Sequence, residues 1–496
     1  MFAATLPGVS FRFLCCCIAD EDLETDHIDA VKAFTQAGVD HRILVDMPEA
    51  PDPAEDGRRS AFCLLLLKAL EGIKQGAFLW AGHNRKAWLK LGFVSWMNEP
   101  NLYLHVGLRI RVGVFADDTL VGYPKAVEEQ YKAIKAEYSK LINIDSVSIS
   151  PVLKFTGVQI ERNRSQGTVT IHQYRYIEQL TEEYKGQFEK VDVPHGVSKE
   201  ERHNFDNLKP AETKDLIDRG EYLKLLGKLV WPATMTRPDI SFATNTLCGF
   251  VHSASRTHFQ LGLNVVGYLA ATPKLGITFG GRLQIPLGLS EMPESFEASC
   301  GLYIVHDSSW GTRARPMGGF VVMYMNGPID WAANNLKIVP SSSHEAESAV
   351  AARAAKAGIF ARELAKNNGR TVVGPTPALG DNKAHQTSVQ QMGASARTRY
   401  YERAILLFKR AVLLLILNPL LVSTENMTAD IFTKATDRNT FTKLRNAMMN
   451  VHGNLRQQLE ASYVASTGRI RRNIGALFDT VTRHLGAETA ATREKE

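Results

Sequence analysis

The sequence predicts an α+β fold, in which antiparallel strands come first, a mainly helical part follows, and a unit of strands and helix comes third. Three observations lead to this prediction. Residues 102–116 are apolar at every even position, which is the period of a β-strand. Residues 176–184 carry large apolar side chains at helical spacing. Residues 345–364 are rich in alanine, a composition that favours helix.

The alternating run at residues 102–116 is the clearest local pattern. Its odd positions include His105, Arg109 and Arg111, so we expect one buried face and one polar face. Gly107 is expected to divide the run into two strands. The run ends at Asp117 and Asp118, after which an apolar pattern resumes. Two acids between two apolar runs predict a tight hairpin with carboxylates at its tip.

The rest of the chain divides at two stretches that we expect to be linkers. Residues 194–218 are polar and charged, and residues 280–295 are rich in Gly and Pro. The middle part between them is predicted to be mostly helical, and the third unit is predicted to open with strands at 300–305 and 320–325. The expected domains are residues 1–165, 166–295, 298–437 and 438–496.

Length and composition set broad limits on the class of protein. A chain of 496 residues is expected to contain two to four domains. Its hydrophobic share of 44% and charged share of 22% are typical of a globular protein with full cores. The net charge of +6 is compatible with a polyanionic partner, although solubility explains it equally well.

Cysteines and apolar stretches argue against a secreted or membrane protein. The six cysteines contain no CxxC pair, so we expect neither a disulfide framework nor a zinc knuckle. Three of them are adjacent at residues 15–17, where buried thiols are the simplest interpretation. The apolar stretches at 9–19 and 411–422 fall short of the roughly 20 residues of a spanning helix. We therefore expect an intracellular protein, cytoplasmic or nuclear, that does not cross a membrane.

The acidic pair Asp117 and Asp118 gains meaning from its sequence context. Alone, such a pair more often serves turn geometry than function. Here an isolated acid, Asp29, ends a short apolar segment upstream, and the runs 69–75 and 154–160 flank the pair at a distance. In that order these segments resemble the reverse transcriptase of copia-type long-terminal-repeat retrotransposons. The resemblance covers roughly residues 10–450 and includes the characteristic connecting segments 222–229 and 236–240.

The resemblance implies a polymerase palm whose metal ligands are Asp29, Asp117 and Asp118. Mg²⁺ prefers oxygen ligands, so three converging aspartates suit it. Two Mg²⁺ ions about 3.5–4 Å apart clamp the attacking and leaving oxygens during nucleotide addition. The implied partners are an RNA template, a DNA primer and deoxynucleoside triphosphates.

Four further residues acquire roles from the same resemblance. Phe34 corresponds to the aromatic gate that excludes a ribose 2′-hydroxyl, although core packing would explain it equally well. Gln75 corresponds to the residue near the nucleotide and template. Phe155 and Gly157 belong to the hairpin that grips the primer.

A second group of acids lies in the third unit. Asp307 follows a predicted strand, Glu347 opens the alanine-rich helix, Asp381 follows a short apolar run, and Asp430 lies in residues 428–434. Each alone is unremarkable, since Glu347 suits a helix N-terminus and Asp381 a turn. Together they resemble the four acids of the ribonuclease H domain that follows copia-type reverse transcriptases. That resemblance implies two more Mg²⁺ ions and cleavage of the RNA strand of an RNA/DNA hybrid.

The sequence departs from the family pattern in several places. It begins shortly before Asp29, so we expect a palm without the upstream fingers segment, followed by a thumb or connection and a ribonuclease H-like domain. Residues 76–79 replace a small residue, Pro and Arg that follow Gln75 in the family. Ser309 replaces a second acid, and residues 397–400 lack the usual Lys-His pair.

Three functions remain open from the sequence. The first is an RNA-directed DNA polymerase with ribonuclease H activity. The second is an inactive or domesticated remnant that at most binds nucleic acid, and the third is ribonuclease H activity alone. The tail adds an amphipathic basic pattern over residues 470–485, which suits nucleic acid, a partner or docking on the body equally well.

Overall fold

The computed structural model describes residues 5–46, 63–146, 153–311, 316–390 and 402–451. These residues form thirteen helices and seventeen strands, and the strands make four sheets. Both antiparallel sheets and many helices are present, so the α+β prediction is confirmed.

The first sheet has six antiparallel strands in the order β4-β5-β6-β7-β1-β8. A separate two-stranded sheet pairs β2 with β3. The elements of this part are α1 (Gly8–Asp20), β1 (Glu24–Ala30), α2 (Ala33–Gln36), β2 (Leu44–Asp46), β3 (Cys63–Leu65), α3 (Gly76–Lys90), β4 (Val94–Trp96), β5 (Glu99–His105), β6 (Ile110–Phe115), β7 (Asp118–Tyr123), α4 (Glu128–Leu141) and β8 (Ile144–Ser146).

The alternating run forms β5 and β6, with a turn that contains Gly107, as predicted. The expectation of a single buried face is wrong. The register places Leu102 opposite Gly113 and Tyr103 opposite Val112, so even positions in the two strands face opposite sides of the sheet. Both faces are covered, because Leu102 belongs to the core around α1 and Val112 to the core around α3 and α4.

Arg111 shows how completely the second face is covered. It occupies an odd position predicted to face solvent, yet its side chain is buried. Its guanidinium donates to Glu21 over 2.8 Å and to the carbonyl of Asn368 over 3.0 Å. A charged residue in an alternating pattern can therefore be buried when a carboxylate from another element reaches it.

The middle part is mostly helical, as predicted, and adds a four-stranded antiparallel sheet in the order β12-β11-β10-β9. Residues 194–218 contain a helix where we expected a linker, because Ser198 and Glu201 form a capping box that starts it. The elements are β9 (Leu153–Phe155), β10 (Val158–Asn163), β11 (Thr168–His172), α5 (Tyr174–Glu183), α6 (Lys199–Asp206), α7 (Arg219–Met235), α8 (Ser241–Cys248), α9 (Arg256–Ala271) and β12 (Ile277–Gly280).

The characteristic segment 236–240 contains a buried ion pair. Arg237 and Asp239 are both fully buried, with Nη2 and Oδ2 2.9 Å apart. Tyr268 donates its hydroxyl to Asp239 over 2.6 Å. Burial alone would raise the pKa of Asp239, but the Arg237 charge holds it below its ordinary value. This segment connects α7 to α8 in the chain, and the hydrogen bond from Tyr268 ties it to α9.

The third part contains a five-stranded mixed sheet in the order β15-β14-β13-β16-β17, in which β13, β16 and β17 are parallel. The predicted early strands and alanine-rich helix are confirmed as β13, β14 and α10. The elements are β13 (Tyr303–Ser308), β14 (Met317–Tyr324), β15 (Gly327–Asn335), α10 (Ser343–Asn367), β16 (Thr376–Gly380), α11 (Lys383–Gln390), α12 (Glu402–Leu413), β17 (Leu417–Leu421) and α13 (Arg438–Met449).

Helix α1 packs between the parts. Its three consecutive cysteines are buried and free, as predicted for residues 15–17. Arg12 donates to the carbonyl of Ile329 over 2.7 Å and lies 4.0 Å from the ring centroid of Trp331. At Gly113 an added Cβ would lie 2.9 Å from the Leu6 side chain, so any larger residue there would require the leucine to shift.

The two apolar stretches that we examined as membrane segments form ordinary elements. The first lies within α1, and the second forms the end of α12 and strand β17. Across the described ranges, no helix combines the length and apolar character that a membrane crossing requires. The amphipathic pattern at residues 470–485 lies outside the described residues.

Candidate active sites

Two predicted acids of the first part lie directly opposite each other in the sheet. The register of β1 with β7 pairs Asp29 with Asp118. Side chains of directly opposed residues lie on the same face, with Cβ atoms about 4.5–5.5 Å apart. Asp117 lies in the turn between β6 and β7, after Ala116, so the predicted hairpin with carboxylates at its tip is confirmed.

The three acids influence one another electrostatically. The Asp117 side chain is exposed, and Asp29 and Asp118 are half-buried. Burial raises the pKa of Asp29, and the charges of Asp117 and Asp118 raise it further. A cation bound here would offset this repulsion between like charges.

Asp118 is held in place by two neighbours. His27 Nε2 lies 3.0 Å from its Oδ1, and the backbone N–H of Thr156 donates to its Oδ2 over 3.1 Å. Thr156 and Gly157 form the turn between β9 and β10, with φ angles of +48° and +81°. The structure therefore brings the predicted Phe155–Gly157 hairpin against the acidic site.

The Phe155 ring anchors this hairpin through contacts with two other aromatic side chains. Its ring stacks on Phe11 of α1 with centroids 5.3 Å apart and meets His27 edge-on at 6.4 Å. Gly157 leaves no room for a side chain, because a Cβ there would lie 2.8 Å from Trp231. Both predicted residues thus fix the hairpin that donates to Asp118.

Phe34 and Gln75 lie on neighbouring elements. Phe34 is in α2, packs against the core of the first sheet and lines a cavity beside Trp80 and Ala116. Gln75 precedes α3, whose Trp80 donates its indole N–H to the carbonyl of Ala116 over 2.8 Å. None of the hydrogen bonds described for the three acids involves Gln75, so its place near the nucleotide and template stays a prediction.

Asp145 is an acid that we did not predict at this site. It lies opposite Asp29 on β8, and its charge also raises the pKa of Asp29. Residues 118, 29 and 145 therefore form a row across three adjacent strands. The register of β8 on β1 brings Asp145 to this site. A strand of three residues is too short for its sequence pattern to predict that register.

The acids of the first site fit a divalent cation by charge and by oxygen type. They are not preassembled around one point. In the part of the chain that the structure describes, no three His, Cys, Asp or Glu side chains are arranged to hold a metal ion together. A bound metal would therefore have to draw these carboxylates closer.

The four predicted acids of the third part also come together. Asp307 lies on β13 and Asp381 just after β16, and the parallel register pairs Val305 with Leu379. Both acids therefore lie at the same edge of the sheet. Glu347 is in the first turns of α10, and Asp430 lies in a 3₁₀ turn over residues 428–432.

Burial and mutual charge dominate the second site. Asp307, Glu347 and Asp430 are at most 5% exposed. Burial raises the pKa of Asp307, and the Glu347 charge raises it further. Burial also raises the pKa of Asp430, followed by the charge of Asp307. The four acids thus share one electrostatic environment, since the Asp381 charge also contributes to both shifts.

Each of these acids already has a partner in the protein. His306 Nδ1 and Ser308 Oγ lie 2.7 and 3.0 Å from the two oxygens of Glu347. The remaining contacts are Thr433 to Asp307, Lys434 Nζ to Asp430 at 2.8 Å, and Thr424 to Asp381 at 2.9 Å. We did not predict these partners, although Thr433 and Lys434 belong to the segment 428–434 that carried Asp430.

The second set fits a divalent cation by charge, but less directly than the first. Burial lowers the pKa of Lys434, and the charges of Asp307 and Asp430 more than offset this, so the pKa ends above its usual value. Lys434 therefore supplies positive charge among the carboxylates. A metal ion would have to replace this ammonium group at Asp430.

Comparison with known proteins finds a family match over the first part of the chain. Residues 2–190 match the family described as reverse transcriptase (RNA-dependent DNA polymerase). The putative transposon Ty5-1 protein of Saccharomyces cerevisiae is 27% identical over 64% of this chain and 96% of its own length.

Two plant proteins match a larger share of the chain. The retrovirus-related Pol polyprotein from transposon TNT 1-94 of Nicotiana tabacum is 23% identical over 92% of this chain and 33% of the polyprotein. The corresponding polyprotein from transposon RE1 of Arabidopsis thaliana is 26% identical over 70% of the chain and 22% of its own length. The chain thus spans about a third or less of these polyproteins. The family match at residues 2–190 and these relatives together support a copia-type long-terminal-repeat retrotransposon polyprotein with a reverse transcriptase region.

Proposed function

We propose that the chain is an RNA-directed DNA polymerase that adds nucleotides at Asp29, Asp117 and Asp118. The observation that carries this proposal is the direct pairing of Asp29 with Asp118 beside the exposed Asp117 of the β6–β7 turn. The substrates would be deoxynucleoside triphosphates, a DNA primer and an RNA template. The proposal also assigns residues 1–165 to the palm and residues 166–295 to the thumb or connection.

The three aspartates would hold two Mg²⁺ ions, which lower the pKa of the primer hydroxyl and neutralise the triphosphate. The protein contributes orientation. His27 and the Thr156 N–H fix the Asp118 carboxylate from two sides. Because Thr156 is in the β9–β10 turn, a primer gripped by that hairpin would be held at a set distance from Asp118. Phe34 would face the sugar of the incoming nucleotide.

A primer-extension assay tests the polymerase directly. The full chain is given poly-rA/oligo-dT, dTTP and Mg²⁺, beside Asp117→Asn and the control Asp215→Asn, an exposed aspartate of the middle part. We expect extension by wild type and by the control, and a loss of at least about 100-fold in Asp117→Asn, since a metal ligand is removed. Absent extension by wild type, or equal extension by Asp117→Asn, would overturn the proposal.

We propose ribonuclease H activity as a second function, placed at residues 298–437. The observation in its favour is that Asp307, Glu347, Asp381 and Asp430 share one electrostatic environment. These residues would hold two Mg²⁺ ions, which activate a water for cleavage of the RNA strand. His306 and Ser308 would keep Glu347 on the face of β13 that α10 covers.

Cleavage of a labelled RNA/DNA hybrid tests this second function without polymerisation. Asp307→Asn is expected to abolish cleavage, and Asp117→Asn is expected to leave it unchanged. If Asp307→Asn cleaves like wild type, the assignment is wrong. A chain that neither extends nor cleaves but still binds hybrid would be the non-catalytic remnant.

A further inference from the structure

We infer that Trp80 is a positioning residue that holds the turn carrying Asp117. Its indole N–H donates to the carbonyl of Ala116 over 2.8 Å. Ala116 directly precedes Asp117 in the two-residue turn between β6 and β7. The inference rests on the proposed polymerase function, because it assigns Trp80 a part in placing one of its metal ligands.

The turn contains a residue with a strained backbone. Ala116 has a φ of +53°, in the left-handed region that residues with a Cβ rarely adopt. Such a conformation is unfavourable for a residue with a Cβ and persists only where the surroundings fix it. The hydrogen bond from Trp80 reaches the carbonyl of this strained residue, so it restrains the peptide that leads into Asp117.

Trp80 itself is well anchored. It is 2% exposed, and it lies on α3, a helix of fifteen residues that begins directly after Gln75. Asn84 on the same helix accepts a hydrogen bond from Tyr138 of α4 over 2.8 Å. The hydrogen bond to Ala116 therefore couples the turn to α3, a helix that α4 also holds in place.

A cavity lies beside the turn. A cavity of about 40 Å³ is lined by Phe34, Trp80, Tyr103, Val114 and Ala116, together with Asn84 and Asn101. The side-chain amide nitrogens of Asn84 and Asn101 are buried and have no hydrogen-bond partner within the described residues. Without the Trp80 hydrogen bond, the Ala116 carbonyl could turn towards these amides and take Asp117 with it.

The chain offers a matched control in Trp88. This residue is on the same helix, is 1% exposed, and stacks on Tyr138 with ring centroids 4.1 Å apart. Trp88→Phe removes an indole of the same size without touching the turn, whereas Trp80→Phe removes the N–H that reaches Ala116. Both substitutions keep a buried aromatic ring, so their thermal unfolding midpoints should be similar.

The first readout is steady-state nucleotide addition on poly-rA/oligo-dT with Mg²⁺. Trp80→Phe should lower kcat by about 10–100-fold, the usual effect of removing a partner that orients a metal ligand, and change KM for dTTP by less than about 3-fold. Trp88→Phe should stay within about 3-fold of wild type in both constants. Equal kinetics of the two variants, or a kcat loss matched by loss of folded protein, would overturn the inference.

The second readout is Mn²⁺ binding, followed by electron paramagnetic resonance without nucleic acid. Trp80→Phe should weaken by about 10-fold the binding that Asp117→Asn removes, and Trp88→Phe should not. If wild type does not extend primers but Trp80→Phe still weakens this binding, the polymerase proposal fails and the Trp80 assignment stands. If wild type extends primers and Trp80→Phe behaves like Trp88→Phe, the polymerase proposal stands and the Trp80 assignment fails. A wild-type chain that binds no Mn²⁺ at Asp117 and extends no primer contradicts both.

Discussion

The two carboxylate sites differ in what surrounds their acids. At the first site Asp117 is exposed at a hairpin tip, and the charges of its neighbours raise the pKa of Asp29. At the second site the acids are buried or half-buried, and a histidine, hydroxyls and Lys434 already contact their oxygens. Both sets resemble metal sites in sequence, but at the second a lysine already lies among the carboxylates.

The difference follows from where each set lies in its sheet. Asp117 and Asp118 are at the tip of a hairpin, and Asp29 is near the end of the neighbouring strand, where water reaches them. Asp307 lies on a central strand, between α10 on one side and the 3₁₀ turn of Asp430 on the other. Burial of several acids without donors would be unfavourable, so the fold supplies donors there.

The largest expected effect on stability comes from Lys434. Lys434→Met removes the positive charge beside Asp430 and Asp307, and should lower the free energy of unfolding of the metal-free chain by about 2 kcal/mol. This is less than for a fully buried pair, because the lysine side chain is partly exposed. Urea unfolding in EDTA measures it, with the charge-conserving Lys434→Arg as control. No difference between the two variants would show that Lys434 does not compensate the site.

A pH dependence of the stability should come from the same acids. Burial and neighbouring charge raise the pKa of Asp307 to about 6 and that of Asp430 to about 7. Between pH ~4 and ~7 the folded state then binds more protons than the unfolded state, so stability falls as pH rises through this window. Urea unfolding of the metal-free chain at several pH values measures the slope. Asp430→Asn should flatten it, and an unchanged slope would contradict the assignment.

Matched substitutions of carboxylate by amide separate the sites further. Glu347→Gln should destabilise the metal-free chain by about 1 kcal/mol, because an amide cannot accept from both His306 and Ser308. Thermal unfolding with EDTA measures the effect. If Glu347→Gln is as stable as wild type, the hydrogen bonds to this carboxylate do not contribute to stability.

Asp29→Asn should have the smallest effect on stability, and it should stabilise the metal-free chain rather than destabilise it. It removes a charge that Asp117 and Asp118 repel, so the metal-free chain should gain up to about 0.5 kcal/mol. The same thermal unfolding experiment measures it. A destabilisation similar to that of Glu347→Gln would mean that the first site is also compensated by the protein.

Much of the fold could be predicted from periodicity and turn chemistry. The strands on either side of Gly107, the acidic hairpin and the alanine-rich α10 follow directly from local patterns. The error at residues 102–116 arose because the faces of β5 and β6 depend on how the two strands pair. The helix α6 was missed although Ser198 and Glu201 have the spacing of a capping box, so that signal was available.

The partners at both sites could not be predicted in the same way. Asp145 reaches Asp29 only through the register of a three-residue strand, and Trp80 reaches Ala116 across 36 positions of the chain. His306 contacts Glu347 because β13 packs against α10. The acids could be picked out from residue type and order in the sequence. Long-range packing determines which of them already has a hydrogen-bond or charge partner in the protein.

Mn²⁺ titration of the full chain, followed by electron paramagnetic resonance at pH 7.5, tests the central difference most directly. Wild type, Asp117→Asn and Asp430→Asn are compared without nucleic acid. If the first site is open to a cation and the second is compensated by Lys434, the tightest binding should disappear in Asp117→Asn and persist in Asp430→Asn. Loss of the tightest binding in Asp430→Asn, with retention in Asp117→Asn, would contradict this account.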